Sequence, residues 1–169
     1  MSEPSTEPDS VRLRAPRHRV SPRALLMWMC TDLVRLVPVT AVLVLGAGRW
    51  DWFSPPTWVW VAYGLVAVAY VVAVPQWRYA VHRWEVTETA VYTQTGWWAR
   101  ERRIAPMSRV QTVDHRQGAI SRLFGLATVR VTTASSAGAL TIEGLDQHRA
   151  IGIVADLTRM ADSVPGDAT

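Results

Sequence analysis

Two membrane-crossing helices in a hairpin, followed by a mainly-β domain capped by a C-terminal α-helix, form the fold class that this sequence predicts. Three observations point to it. An apolar run at residues 57–74 holds no charged residue. Tryptophans bracket the apolar stretches, and arginines gather on one side of them. From Arg78 onward the chain changes to short alternating runs that end in a helical pattern.

The totals conceal this division. The chain has 169 residues, is 49% hydrophobic, and has a mean hydropathy of only +0.07. That length allows one modest domain plus a smaller unit. The net charge is +4 and the pI about 10.0, which favours acidic partners such as anionic lipid headgroups. Cys30 is the single cysteine, which excludes an internal disulfide and a cysteine-based metal site.

The second apolar segment, TWVWVAYGLVAVAYVVAV, rises about 1.5 Å per residue and so spans roughly 27 Å, close to a hydrocarbon core of about 30 Å. Pro56 and Pro75 read as its start and stop. The first segment, about residues 25–47, contains Asp32, Arg35 and Pro38. Its charge-free part is too short to span, so Arg35 must belong to the helix and snorkel toward the headgroups. Asp32 stands one turn earlier and can pair with Arg35 in the interfacial zone. A contact with a partner helix is the alternative. Pro38 is expected to kink the helix.

The connection RWDWFSPP is short, so the helices are antiparallel neighbours. Trp50, Trp52, Trp58 and Trp60 mark one end of the pair, and Trp28 and Trp77 the other, as aromatic belts. Arg12, Arg14, Arg17, Arg19 and Arg23 precede the hairpin, and Arg78 and Arg83 follow it. The positive-inside rule then places both termini in the cytoplasm of a plasma-membrane protein. Residues 1–22 read as a disordered basic tail, residues 23–76 as the hairpin, residues 77–162 as the cytoplasmic domain, and residues 163–169 as a second loose tail.

Within the domain, pattern reading finds six strands. Tyr79, Val81 and Trp84 begin one directly after the second helix, and residues 91–95 form the next. Residues 100–105 and a run from Val110 follow. The segment ATVRVTT puts Val129 and Val131 on one face and Thr128, Arg130 and Thr132 on the other. Residues 135–138 turn the chain, and residues 139–142 return. Asp146 is a plausible N-cap for a helix whose apolar face carries Ile151, Val154, Leu157 and Met160.

The run IAPMSRVQTVDHRQGAISRLFGLATVRVTTA, with LTIEGL before the last helix, resembles the bacterial PH-like domain of YdbS-like membrane proteins. Ile104, Arg109 to Val113, Gln117-Gly118, Arg122 to Leu126 and Thr128 to Thr133 carry the resemblance. It implies a seven-stranded bent barrel plugged by the C-terminal helix, so one strand escapes the pattern. It also implies a role in the cell envelope or stress tolerance. Gln117-Gly118 should turn the chain, Ile120 to Leu126 should form a small helical turn, and Gly125 should end it.

The chemistry-bearing residues do not assemble into a catalytic pattern. His18, His82, His115 and His148 lie in different elements, and no metal-ligand spacing, nucleophile elbow or phosphate-cradling loop is present. No enzyme and no cofactor are expected, and no nucleic acid, because no stacking platform with a basic stripe is evident. The candidate membrane-surface or lipid contact is WWARERR, with Trp97, Trp98, Arg100, Arg102 and Arg103. The bland alternative is a solvated strand whose tryptophans pack on the hairpin. The leading expectation is a non-catalytic module for protein–protein assembly at the inner face of the membrane. Its partner would be another membrane protein, a paralogue or a second copy included. Binding of anionic lipid or a small ligand by the domain is the alternative.

Overall fold

The computed structural model describes residues 15–49, 54–96, 100–134 and 138–163. Two long helices dominate its first half: α1, Arg23–Gly48, and α2, Thr57–Val81. Both are long and apolar enough to cross a membrane. Their outward faces expose Val37, Val42, Leu65 and Val66, the surface that lipid would cover. Within the pair, the Thr40 and Tyr63 hydroxyls share a 2.6 Å hydrogen bond. In an apolar medium such a pair joins two helices because neither hydroxyl has water to turn to.

The second helix does not end where its apolar run ends. Pro75, expected as a stop, lies buried inside α2, and the helix continues through Tyr79 to Val81. Tyr79 and Val81 are therefore helical rather than the start of a strand. A proline removes only its own donor, and neighbouring packing can hold the helix across it. At the other end of the hairpin chain, Ala24, Met27 and Trp28 of α1 are buried in the domain core. Trp28 is thus a core residue and not part of an interfacial belt. Trp77 is half exposed, as a belt residue would be, and Trp50 and Trp52 lie outside the described residues.

The domain has two antiparallel sheets. The first runs β1–β2–β3–β4, from β1 (His18–Arg19), β2 (Arg83–Val86), β3 (Ala90–Thr95) and β4 (Glu101–Pro106). The second runs β5–β6–β7, from β5 (Val110–Arg116), β6 (Leu126–Thr133) and β7 (Leu140–Asp146). The strand missed by pattern reading is β1. It precedes the hairpin, pairs His18 with Trp84 and Arg19 with Arg83, and brings buried Pro16 and Val20 with it. The part of the N-terminal tail from Pro16 to Pro22 is therefore packed rather than loose. Two residues cannot show an alternation, so no sequence period could reveal it.

The short helix α3, Ala119–Leu123, follows β5. Gln117 turns the chain as expected: its Nε2 donates to the Leu126 carbonyl at 3.0 Å and to Gln147 Oε1 at 3.3 Å. Gly125, at φ +64°, ends the helical turn. The C-terminal helix α4, Gln147–Ser163, packs across the second sheet. Asp146 Oδ1 caps it by accepting from the His148 amide at 3.2 Å. Its buried face is Ala150, Ile153 and Leu157, with Val154 and Met160 half buried. Ile151 instead points outward. Ala150 supplies the i, i+3, i+7 series, and a small residue is easily passed over in a hydropathy pattern.

Gly144 fastens β7 to α1. It sits at φ +71°, and a Cβ placed there would lie 2.7 Å from the Ala24 Cβ. Its carbonyl accepts the Ser21 amide at 2.9 Å. Any side chain would be strained in conformation and would push the helix off the sheet. Gly144→Val is expected to lower stability by about 3 kcal/mol or more. Thermal unfolding of the detergent-solubilised chain measures this, and Ala24→Gly should recover only part of the loss, because the φ strain remains.

Candidate functional site at the membrane–domain junction

A cavity of about 560 Å³ lies where the hairpin meets the domain. Five elements build it, each for a local reason. On α2, Tyr70, Val74 and Arg78 recur every four residues and so share one face. Asp32 and Arg35 of α1 enter together because they are one turn apart; they pair at 3.3 Å. In β3 and β4, Thr93 faces Arg103 and Thr95 faces Glu101 across the ladder, so all four line the same wall. Thr141 and Glu143, two apart on β7, close the opposite side.

Arg78 is the centre of this junction. Its Nη2 reaches Glu143 Oε2 at 2.6 Å, and its guanidinium lies 4.6 Å over the Trp28 ring. One side chain thus links α2 to β7 and to α1. The planar, delocalised guanidinium suits both contacts at once. Just after α2, Gln94 of β3 adds a second tie. Its Nε2 donates to the Val81 carbonyl at 3.2 Å, while its Oε1 accepts from Arg102 Nε at 3.1 Å. The carbonyl at the helix end, which has no partner within the helix, is satisfied in this way.

His82 follows α2 and lines the cavity at 7% exposure. Burial lowers its pKa from 6.5 to about 4; Glu143 opposes the shift and Arg78 adds to it. The imidazole is therefore neutral near pH 7. Its ring stands 5.7 Å from that of Trp28, and its Nε2 has no hydrogen-bond partner among the described groups.

The residues expected from sequence at a membrane-surface contact are divided by this geometry. Trp97 and Trp98 lie outside the described residues. Arg100 is exposed. Arg102 serves Gln94 on the far side of β4, whereas Arg103 turns into the cavity and bonds Glu101 at 2.6 Å. Sequence reasoning did not pick out Arg78, His82 or Glu143 as site residues. The four-residue stripe ending in Arg78 was a legible signal for one of them. The approach of Glu143 was not, since it depends on how β7 lies against the hairpin. Among the described residues no group of three or more His, Cys, Asp or Glu could hold a metal ion. Asp114 and His115 are both exposed on β5 and point to opposite sides.

Two helices running into a pair of antiparallel sheets with a closing helix is the arrangement that the family comparison meets. The family model described as the bacterial PH domain matches residues 32–161. The chain belongs to the bacterial PH domain family. Its match begins at Asp32, on the cavity wall, and includes all of α2, so the hairpin is part of what the family model describes. A curated relative, the UPF0699 transmembrane protein YdbS of Bacillus subtilis, is 34% identical over 154 residues, covering 87% of this chain and 96% of that protein. No solved structure matches the chain. This bacterial PH domain is accordingly a membrane-anchored module, carried by a transmembrane chain of YdbS-like type.

The buried neutral histidine makes stability depend on pH. Its folded pKa lies below its unfolded value, so between about 6.5 and about 4 the unfolded chain holds a proton that the folded chain refuses. Stability is full above this window and is lost as pH falls through it, by up to about 3 kcal/mol. Denaturation midpoints across that range should flatten in His82→Gln relative to wild type.

Proposed function

We propose that this chain is a non-catalytic scaffold that assembles with another membrane protein at the cytoplasmic face, in the cell envelope. The observation that carries the reading is the continuity of helix and domain. α1 buries Ala24, Met27 and Trp28 in the domain core, and α2 runs on to Val81, one residue short of β2. A domain joined to its anchor by a flexible linker searches a volume; one joined by two helices presents its surface at a set height and angle. Such a surface suits a partner that is itself held in the membrane. A paralogue of the same family fits this description, and a second copy of the chain is the competing partner. The basic residues before and after the hairpin support placing the domain and both termini in the cytoplasm.

Two measurements test this. Affinity purification at native expression in mild detergent, read by mass spectrometry, should recover one membrane protein in stoichiometric amount; a clean monomer would overturn the assembly reading. For topology, single cysteines are placed in a Cys30→Ser background. Arg159→Cys should resist a membrane-impermeant thiol reagent until cells are permeabilised, and Ser54→Cys should react in intact cells. The reverse pattern would invert the orientation.

A further inference from the structure

The junction cavity carries charges of both signs in equal number. Arg35 faces Asp32, Arg78 faces Glu143, and Arg103 faces Glu101. His82 adds no charge near neutrality. The His82 ring forms part of the wall, and its buried Nε2 has no partner among the described groups. The hydroxyls of Thr93, Thr95 and Thr141 add further donors and acceptors. On its membrane side the cavity is bounded by Tyr70 and Val74. These continue a four-residue stripe up from Val66, which is 67% exposed and lies within the apolar span. The polar chamber thus adjoins an apolar, lipid-facing stripe of α2.

We propose that this cavity binds the headgroup of a zwitterionic aminophospholipid, of the phosphatidylethanolamine type, drawn from the leaflet next to the domain. The phosphate lies against the guanidiniums and the ammonium against the carboxylates, while the acyl chains follow the Val66–Tyr70–Val74 stripe. Charge balance selects this chemistry. An anionic headgroup would bring an uncompensated negative charge to three acids that already stand beside their arginines. A choline headgroup has the right net charge but no N–H to donate to the carboxylates. The volume falls within the range of about 300–1,000 Å³ typical of small-molecule sites. The site lies within one chain and is independent of whether that chain assembles with another.

The test uses the full-length protein reconstituted in phosphatidylcholine nanodiscs doped equally with phosphatidylethanolamine and phosphatidylglycerol. After release into mild detergent, native mass spectrometry counts the lipids retained. Phosphatidylethanolamine should be retained over both others, at one per chain. The double variant Arg35→Gln, Arg103→Gln should retain about tenfold less, the expected result of removing charged hydrogen bonds. A control pair on the exposed surface, Arg122→Gln with Arg159→Gln, should match wild type. Equal retention of the three lipids by wild type overturns the proposal, with no need for any variant to fold. So does a folded cavity variant that binds as wild type does. Displacement by soluble phosphoethanolamine at matched concentration would overturn the membrane source and assign the site to a free metabolite.

Discussion

The close approach of α1 to β7 at Gly144 is the constraint on which the rest of this molecule depends. With a Cβ at Gly144 only 2.7 Å from that of Ala24, the contact exists only because one partner has no side chain and the other has the smallest. It sets the depth at which the first helix enters the domain. From that depth follow the burial of Met27 and Trp28, the seat of Arg78 over the Trp28 ring, and the reach of Arg78 to Glu143. A larger residue at either position would separate the helix from the sheet and pull these contacts apart together.

The anchor and the domain are consequently one structural unit. In many membrane proteins an apolar helix serves only to tether. Here the helices leave the apolar zone and become part of the domain's core, and the strand before them, β1, extends its first sheet. The chain thus enters the domain, runs out and back along two apolar helices, and re-enters the same domain. Each helix is held at its domain end by a specific contact: Ala24 against Gly144 for α1, and Gln94 on the Val81 carbonyl for α2. The Thr40–Tyr63 hydrogen bond joins the two helices between these points.

The same junction explains why three arginine–carboxylate pairs collect in one place. Charges near the end of a membrane span are tolerated where they face protein and one another. Asp32 is 5% exposed and would be costly there without Arg35 beside it. Pairing keeps the cavity balanced in charge while leaving its wall rich in donors and acceptors. The result is a polar chamber at the edge of an apolar surface, a place where amphipathic molecules can satisfy both ends.

By itself the sequence determined the fold class: the two apolar spans, six of the strands, the Gln117-Gly118 turn, the left-handed Gly125 and the closing helix. These are local properties, set by period, by turn chemistry and by charge, and they survive without knowledge of neighbours. The alternation of Val129 and Val131 against Thr128 and Arg130 is of this kind, and so is the i, i+3 pairing of Asp32 with Arg35. Tertiary structure alone decided the rest. β1 is too short to carry a period and exists because β2 offers it an edge. Trp28 looked like a belt residue because hydropathy cannot tell lipid from protein as the apolar neighbour. Pro75 looked like a stop because its missing donor is a local fact, while the packing that carries α2 past it is not. The cavity is the clearest case. Its residues come from positions 32 to 143, and nothing local to Arg78 or Glu143 says that they meet; that follows only from how closely Gly144 lets the helix approach the sheet.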